Sequence, residues 1–275
     1  MINVLQTQLY RLKKSKLFLA MIIVCAALPL LGMLFTRWMV GFLSNSTNGN
    51  GQFIFQTLQG SDSLTLSAIG GLTDIGSTPV LFSIICSSIF LSGEFSGGAI
   101  RNMVLANKSR TQIFLSFFTV AMIVGATCFV ASFATTVLFY GIAFGFDGVT
   151  AAQIVNGCFT SLFLGLLSIA LAQSCVIFFL FATRKTGATV AFPLLIIVLL
   201  PALITTVVGI VFTVKSLVGQ GSAMTLTWIP LYNLTLFDAA NIDGGLIGKI
   251  VLYNAPIAAL FATLGWVSIN KADLK

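Results

Sequence analysis

Histidine is absent from all 275 residues, and charged residues make up only 8% of the chain. The first absence removes the commonest general base and the commonest metal ligand. The second excludes a larger class of proteins. A soluble domain carries about 25% charged residues, and a chain this poor in them cannot cover itself with a polar surface. Apolar residues reach 57%, and the 25 Phe outnumber the 14 Lys and Arg together. Lipid is therefore the expected solvent. Divided by the roughly 20 residues that a spanning helix needs, the length leaves room for about six spans with their loops.

Other absences narrow the chemistry. The five cysteines, Cys25, Cys86, Cys128, Cys158 and Cys175, all sit inside apolar runs. Their number is odd and none forms a CxxC, so they read as small buried hydrophobes rather than a disulfide framework or a zinc site. No P-loop occurs, since Gly248–Lys249 lacks both the earlier glycine and the following hydroxyl. No GxSxG elbow is present, and no carboxylate pair is placed for acid–base work. Asp238 and Asp243 read as solvated loop acids. We expect no catalytic residue, no metal site and no cofactor in this chain. No Lys, Arg, Asp or Glu falls well inside an apolar span, which argues against proton coupling and less strongly against sodium coupling.

What is present gives the order of the chain. Ile2, Leu5, Leu9 and Leu12 recur at helical spacing, with Gln6, Gln8, Arg11, Lys13, Lys14 and Lys16 mostly off that stripe. Residues 1–16 are thus expected to form an amphipathic helix in the membrane interface, apolar face down and bases toward anionic headgroups. An ordinary basic flank of the first span is the other reading. Apolar runs predict spans at about 17–36, 76–92, 113–146, 153–183, 188–214 and 249–268. The two long connections, 41–75 and 215–248, are polar or mixed. Gly141 and Gly145 stand at a spacing that permits close helix approach. Pro193 and Pro201 predict a kink in the fifth span and mark a candidate hinge.

Orientation follows from the bases. Eleven of the fourteen (Arg11, Lys13, Lys14, Lys16, Arg101, Lys108, Arg110, Arg184, Lys185, Lys271 and Lys275) fall on one side, and Arg37, Lys215 and Lys249 on the other. The basic side is expected to be cytoplasmic, which puts both termini in the cytosol and the loops 41–75 and 215–248 outside. The fold class is then an all-α membrane protein of six transmembrane helices with an N-terminal interfacial helix, a single transmembrane domain over residues 1–275. The net charge of +7 follows from this topology. The bases are scattered over short segments, so no nucleic-acid partner is implied.

Transport without ion coupling and without a P-loop needs energy from elsewhere, or must be passive. A separate ATPase would need something to hold on the cytoplasmic side. The one connection long enough for a short helix there is 93–112. It reads GEFSGGAIRNMVLANKSR from Gly93 to Arg110. Ala99, Ile100, Met103 and Val104 have the spacing of a helix that docks in a groove, with Arg101 at its rim.

The order E-F-S-G-G-A-I-R-N followed by K-S-R resembles the first cytoplasmic loop of type-two ABC transporter permeases. The likeness extends to the N-terminal helix, six spans, cytoplasmic termini and a large external segment before the last span. It is strongest to small single-domain permeases that work with a separate ATPase, many of which export antimicrobial peptides or drugs or confer bacteriocin immunity. The resemblance implies a multi-pass protein of a bacterial plasma membrane, paired with two ATPase subunits that bind ATP and Mg and with a second permease subunit, identical or homologous. It further implies that Glu94 transmits ATPase motion, that Gly97, Gly98, Ala99, Ile100, Arg101, Met103 and Val104 hold or flank the coupling helix, and that Arg110 begins the third span. Gly97–Gly98 depart from a helical pattern, at about 1 kcal/mol per Gly relative to Ala, so the coupling helix is expected to start after them. Against this stand ordinary topology, with Glu94 a solvated loop acid, and two other functions. One is a passive channel or secondary carrier, and the other a non-transporting immunity or sensor protein.

Overall fold

The computed structural model describes residues 2–46, 64–74, 76–96, 109–146, 149–201, 203–204, 206–207, 234, 237, 239 and 242–271. Among these the regular structure is helical. An amphipathic helix α1 (Ile2–Lys14) precedes the long α2 (Lys16–Ser46). A short α3 (Leu64–Gly71) leads into α4 (Thr78–Ser96). Then come α5 (Arg110–Phe144), α6 (Ala151–Thr183), α7 (Thr186–Leu194) and α8 (Gly244–Lys271). Five helical stretches are long and apolar enough to cross a membrane: Lys16–Met39, Thr78–Phe95, Arg110–Phe144, Ala151–Thr183 and Gly244–Lys271. The apolar stretch Thr186–Leu199 is shorter, and most of the remainder of the expected fifth span, 188–214, lies outside the described residues.

Helix ends are set by local chemistry. Ser109 caps α5 by accepting the Gln112 N–H at 3.3 Å. Thr150 and Gln153 form a reciprocal capping box at the start of α6, which satisfies two amide donors that the first turn leaves free. Arg184 ends α6 in the left-handed region (φ 55°), and Lys185 follows as the N-terminal flank of α7, so the chain reverses within two residues. Asp243 is exposed, as a solvated loop acid is, and also accepts the Gly245 N–H at 2.9 Å at the start of α8.

The centre of the bundle is the α5–α6 pair. A Cβ on Gly165 would fall within the Phe129 ring, and one on Gly125 would fall on the Ile169 side chain. Each helix thus seats a large side chain in the glycine notch of the other, and Phe129 and Ile169 are wholly buried. The Gly141–Gly145 pair does not serve this purpose. Gly145 closes α5 with φ 69°, its N–H on the Gly141 carbonyl, and a Cβ on Gly141 would meet the Phe146 ring of its own segment. At the periphery, α2 leaves Leu19, Ile23, Leu31, Phe35 and Trp38 more than half exposed, as a lipid-facing helix does.

The expected loop 41–75 is not all loop. Helix α3 is inserted beside the ends of α5 and α6, with Leu66 and Ile69 fully buried. The Thr65 hydroxyl donates to the Gly145 carbonyl at 2.6 Å, and Ser168 of α6 donates to the Thr73 carbonyl at 2.7 Å. The apolar LTLSAIGG is too short to stand out in hydropathy beside the polar SNSTNGNG upstream.

Among the described helices Pro29, Pro193 and Pro256 have interior positions, and the first two show how a freed carbonyl can be satisfied. Pro29 lies within α2 and Pro193 within α7. Proline has no N–H, so each leaves the carbonyl four residues earlier without its helical donor. Those carbonyls belong to Cys25 and Thr189. Ser132 of α5 donates to the Cys25 carbonyl at 2.7 Å, and Ser88 of α4 donates to the Thr189 carbonyl at 3.1 Å. Both serines are buried. A neighbouring helix thus replaces each missing donor, as a medium without water requires. A further cross-link joins α6 to α4, where the Gln173 amide donates to Ser83 Oγ at 3.1 Å.

Ser132→Ala is therefore expected to cost roughly 1 kcal/mol of stability by orphaning the Cys25 carbonyl. In a Pro29→Ala background, which restores the N–H, the same change is expected to cost clearly less. Unfolding of the four variants in detergent or bicelles measures the difference.

Candidate functional site

The basic end of the bundle is where α1 stops, α4 ends, α5 begins and α8 ends. Its core is apolar. Leu12 of α1 is buried with Leu91, Ile113, Phe114, Phe117, Phe181 and Ile269, and Leu5 and Leu9 pack against the same cluster. The apolar stripe of α1 is thus spent on the protein, chiefly on α5, where the sequence suggested a face turned down toward lipid. Tyr10 points away and is exposed, with Lys14 Nζ 4.7 Å from its ring centroid.

Glu94 lies in the last turn of α4, which runs to Ser96, so the expected loop 93–112 begins later than the sequence suggested. Its carboxylate accepts from Arg11 Nη1 at 2.8 Å. The Glu94 side chain is only 10% exposed and that of Arg11 52%. The reading of Glu94 as a solvated loop acid is therefore set aside. A carboxylate near a helix C-terminus opposes the helix dipole, and the guanidinium from α1 offsets that repulsion. The neighbouring Phe95 anchors the same turn. Its ring meets Phe181 of α6 at 5.5 Å and Phe117 of α5 at 6.1 Å between centroids, both edge-on.

The other end of the 93–112 connection is held too. Arg110 is the first residue of α5, directly after the cap Ser109. Its guanidinium donates to the Asn270 carbonyl at 2.6 Å and to the Ile269 carbonyl at 3.4 Å. These are among the last carbonyls of α8, which have no helical donor of their own and carry partial negative charge. One residue on, Thr111 Oγ1 accepts from Trp266 Nε1 of α8 at 3.4 Å.

The structure thus places Glu94 and Arg110 at the two roots of one connection. Gly97, Gly98, Ala99, Ile100, Arg101, Met103 and Val104 lie outside the described residues. Pro193 and Pro201 are both buried and stand away from this end, flanking a π-helical turn at Leu195–Leu199. Among the described residues no three His, Cys, Asp or Glu come together as metal ligands do. Sequence reasoning missed Arg11 and Phe95. Arg11 reads as one more base of a positive flank, and its partner is 83 residues away, so no local pattern connects the two.

Arg11→Glu is expected to lower the melting temperature, and adding Glu94→Arg to recover part of the loss. The effect is about 1 kcal/mol or less, because Arg11 is half exposed, and it shrinks as salt rises. Thermal unfolding of the two single variants and the swap at low and high ionic strength reads this.

Comparison with known proteins gives one family. Residues 4–200 match the model described as ABC-2 family transporter protein, a stretch from α1 through the π turn of α7 that includes both roots of the basic-end connection. No curated protein matches the chain. With five helices among the described residues long and apolar enough to cross a bilayer, the chain belongs to the ABC-2 family of transporter proteins, as a multi-pass membrane component of an ABC transporter and not its catalytic subunit.

Proposed function

We propose that this protein is the permease of an ATP-driven exporter and that residues 97–108 receive the ATPase. The observation that carries this reading is the anchoring of that segment at both roots. Upstream, Glu94 and Phe95 tie it to α1, α5 and α6. Downstream, Ser109 and Arg110 tie it to the start of α5 and the end of α8. A push on the segment therefore reaches four helices without first bending a loose loop. Ile100, Met103, Ala99 and Val104 supply the apolar contacts to the motor and Arg101 a rim contact. Gly97–Gly98 separate the docking helix from α4.

In this reading the basic end is cytoplasmic and both termini lie there. The fifth span continues from Thr186 to about residue 214, which completes six spans. Two permease subunits, identical or homologous, flank the path, and two ATPase subunits bind ATP and Mg below them in a bacterial plasma membrane. The cargo is an amphipathic peptide or drug, after the small permeases that the basic-end motif resembles. The connections 41–75 and 215–248 then lie on the outer side, where cargo is selected, apart from α3 and the buried Leu72, Thr73, Leu234, Phe237 and Ala239.

Tagged wild-type protein is expected to co-purify from its native membrane with a P-loop ATPase. Ile100→Asp with Met103→Asp is expected to reduce that yield at least about tenfold, the cost of forcing two charges into an apolar groove. Reconstituted protein that moves solutes with no ATPase present would instead make it a carrier or channel. Peptide binding without ATP-dependent uptake into inverted vesicles would make it an immunity or sensor protein.

A further inference from the structure

We propose that Ser88 is a positioning residue that carries motion of α4 to a swivel in α7, an inference that rests on the permease reading above. Ser88 sits six residues before Glu94 on α4, about 9 Å along the helix axis. It is fully buried, as is Thr189. Its hydroxyl donates to the Thr189 carbonyl at 3.1 Å, the carbonyl that Pro193 leaves without a helical donor. The first turns of α7 are thereby fixed to the helix whose far end holds Glu94.

Beyond Pro193 the character of α7 changes. The backbone widens into a π turn over Leu195–Leu199, with the Leu200 N–H bonded to the Leu195 carbonyl. Pro201, again without an N–H, follows two residues after the turn. Prolines and single π turns both bend helices, and single π turns recur at functional sites. Ile197 points inward and is buried, whereas Leu195, Leu199, Leu203 and Val207 are about half exposed. Ile197 and the two prolines seat one face of this stretch on the bundle, with Leu194 and Ile196 packed against the same core, while the other face is turned to lipid.

The molecule contains its own control. Ser132 makes the same bond to the carbonyl freed by Pro29, but α2 continues from Lys16 to Ser46 as an unbroken α-helix. The same chemistry braces an uninterrupted α-helix at Pro29 and adjoins a π turn at Pro193. The geometry assigns a fixed strut to the first and a moving joint to the second. Displacement of α4 pulls on Thr189, and the segment beyond Leu199 changes its angle.

The test uses the full complex in nanodiscs, in a background with its native cysteines replaced. Spin labels at positions 207 and 252, both exposed, report the distance from the segment beyond the π turn to α8 with ADP and after trapping with vanadate. The wild type is expected to shift on trapping, and Ser88→Ala to lose most of that shift while still hydrolysing ATP. Ser88→Thr, which keeps the hydroxyl, is expected to retain it. Ser132→Ala is expected to retain the shift despite a lower melting temperature. Should Ser88→Ala fold poorly, Ser88→Ala with Pro193→Ala supplies the missing donor within α7 and is expected to be stable yet unshifted. A full shift in Ser88→Ala or in that double variant overturns the proposal. So does an equal loss in Ser88→Ala and Ser132→Ala, or an active wild-type complex whose α7 does not move. In these cases the permease reading stands. Only failure to recover any ATPase with the wild type removes both.

Discussion

The constraint on which this structure depends is that a bilayer offers no water to a backbone carbonyl. The chain places prolines within three of its described apolar helices, Pro29, Pro193 and Pro256, and at the first two a serine of a neighbouring helix supplies the missing donor. Ser132 reaches from α5 to the Cys25 carbonyl of α2, and Ser88 reaches from α4 to the Thr189 carbonyl of α7. Together with Gln173 on Ser83 and Ser168 on the Thr73 carbonyl, these bonds run between elements far apart in sequence. Lipid tails are as apolar as the helices, so burial alone gives little preference for one helix arrangement. Polar bonds and glycine notches such as Gly165 under Phe129 select it.

At the basic end a different balance holds. Water is near, so charge is usable, and the structure uses it at helix termini. Arg11 offsets a carboxylate at the C-terminal end of α4, and Arg110 fills the open carbonyls at the end of α8. Between those bonds sits an apolar cluster built on Phe95, Phe114, Phe117 and Phe181. The ion pair by itself is weak because Arg11 is half exposed. Its value is directional. It sets where α1 lies relative to the last turn of α4, while the aromatic cluster supplies most of the adhesion.

The shortage of charge made a helical, multi-pass membrane protein legible from composition, and E-F-S-G-G-A-I-R-N with K-S-R pointed to the family. Arg110 is the first residue of α5, directly after Ser109, whose side chain fills the N-cap position that serine favours. Other features were not legible, for physical reasons. The partner of Glu94 is set by how α1 packs, and the stripe Leu5–Leu9–Leu12 is compatible with lipid and protein alike. Helix α3 is eight residues long, below what hydropathy over a span-length window resolves. Ser88 and Ser132 are two of many small polar residues in apolar helices. Pairing a proline with its serine needs the neighbouring helix, which is a tertiary fact. Gly141–Gly145 had the right spacing for close approach, yet Gly145 is used as a helix terminator. Spacing cannot separate those uses.

We propose that a motor subunit acts on the bundle through residues 97–108, whose flanking Glu94 and Arg110 are both anchored. A photo-reactive amino acid placed in turn at each of these twelve positions, followed by irradiation of native membranes, tests it most directly. The predicted result is a crosslinked adduct to a P-loop ATPase at Ile100, Met103 and Val104, recurring with helical period, and none at Gly97 or Gly98. Adducts to lipid alone at all twelve positions would contradict it.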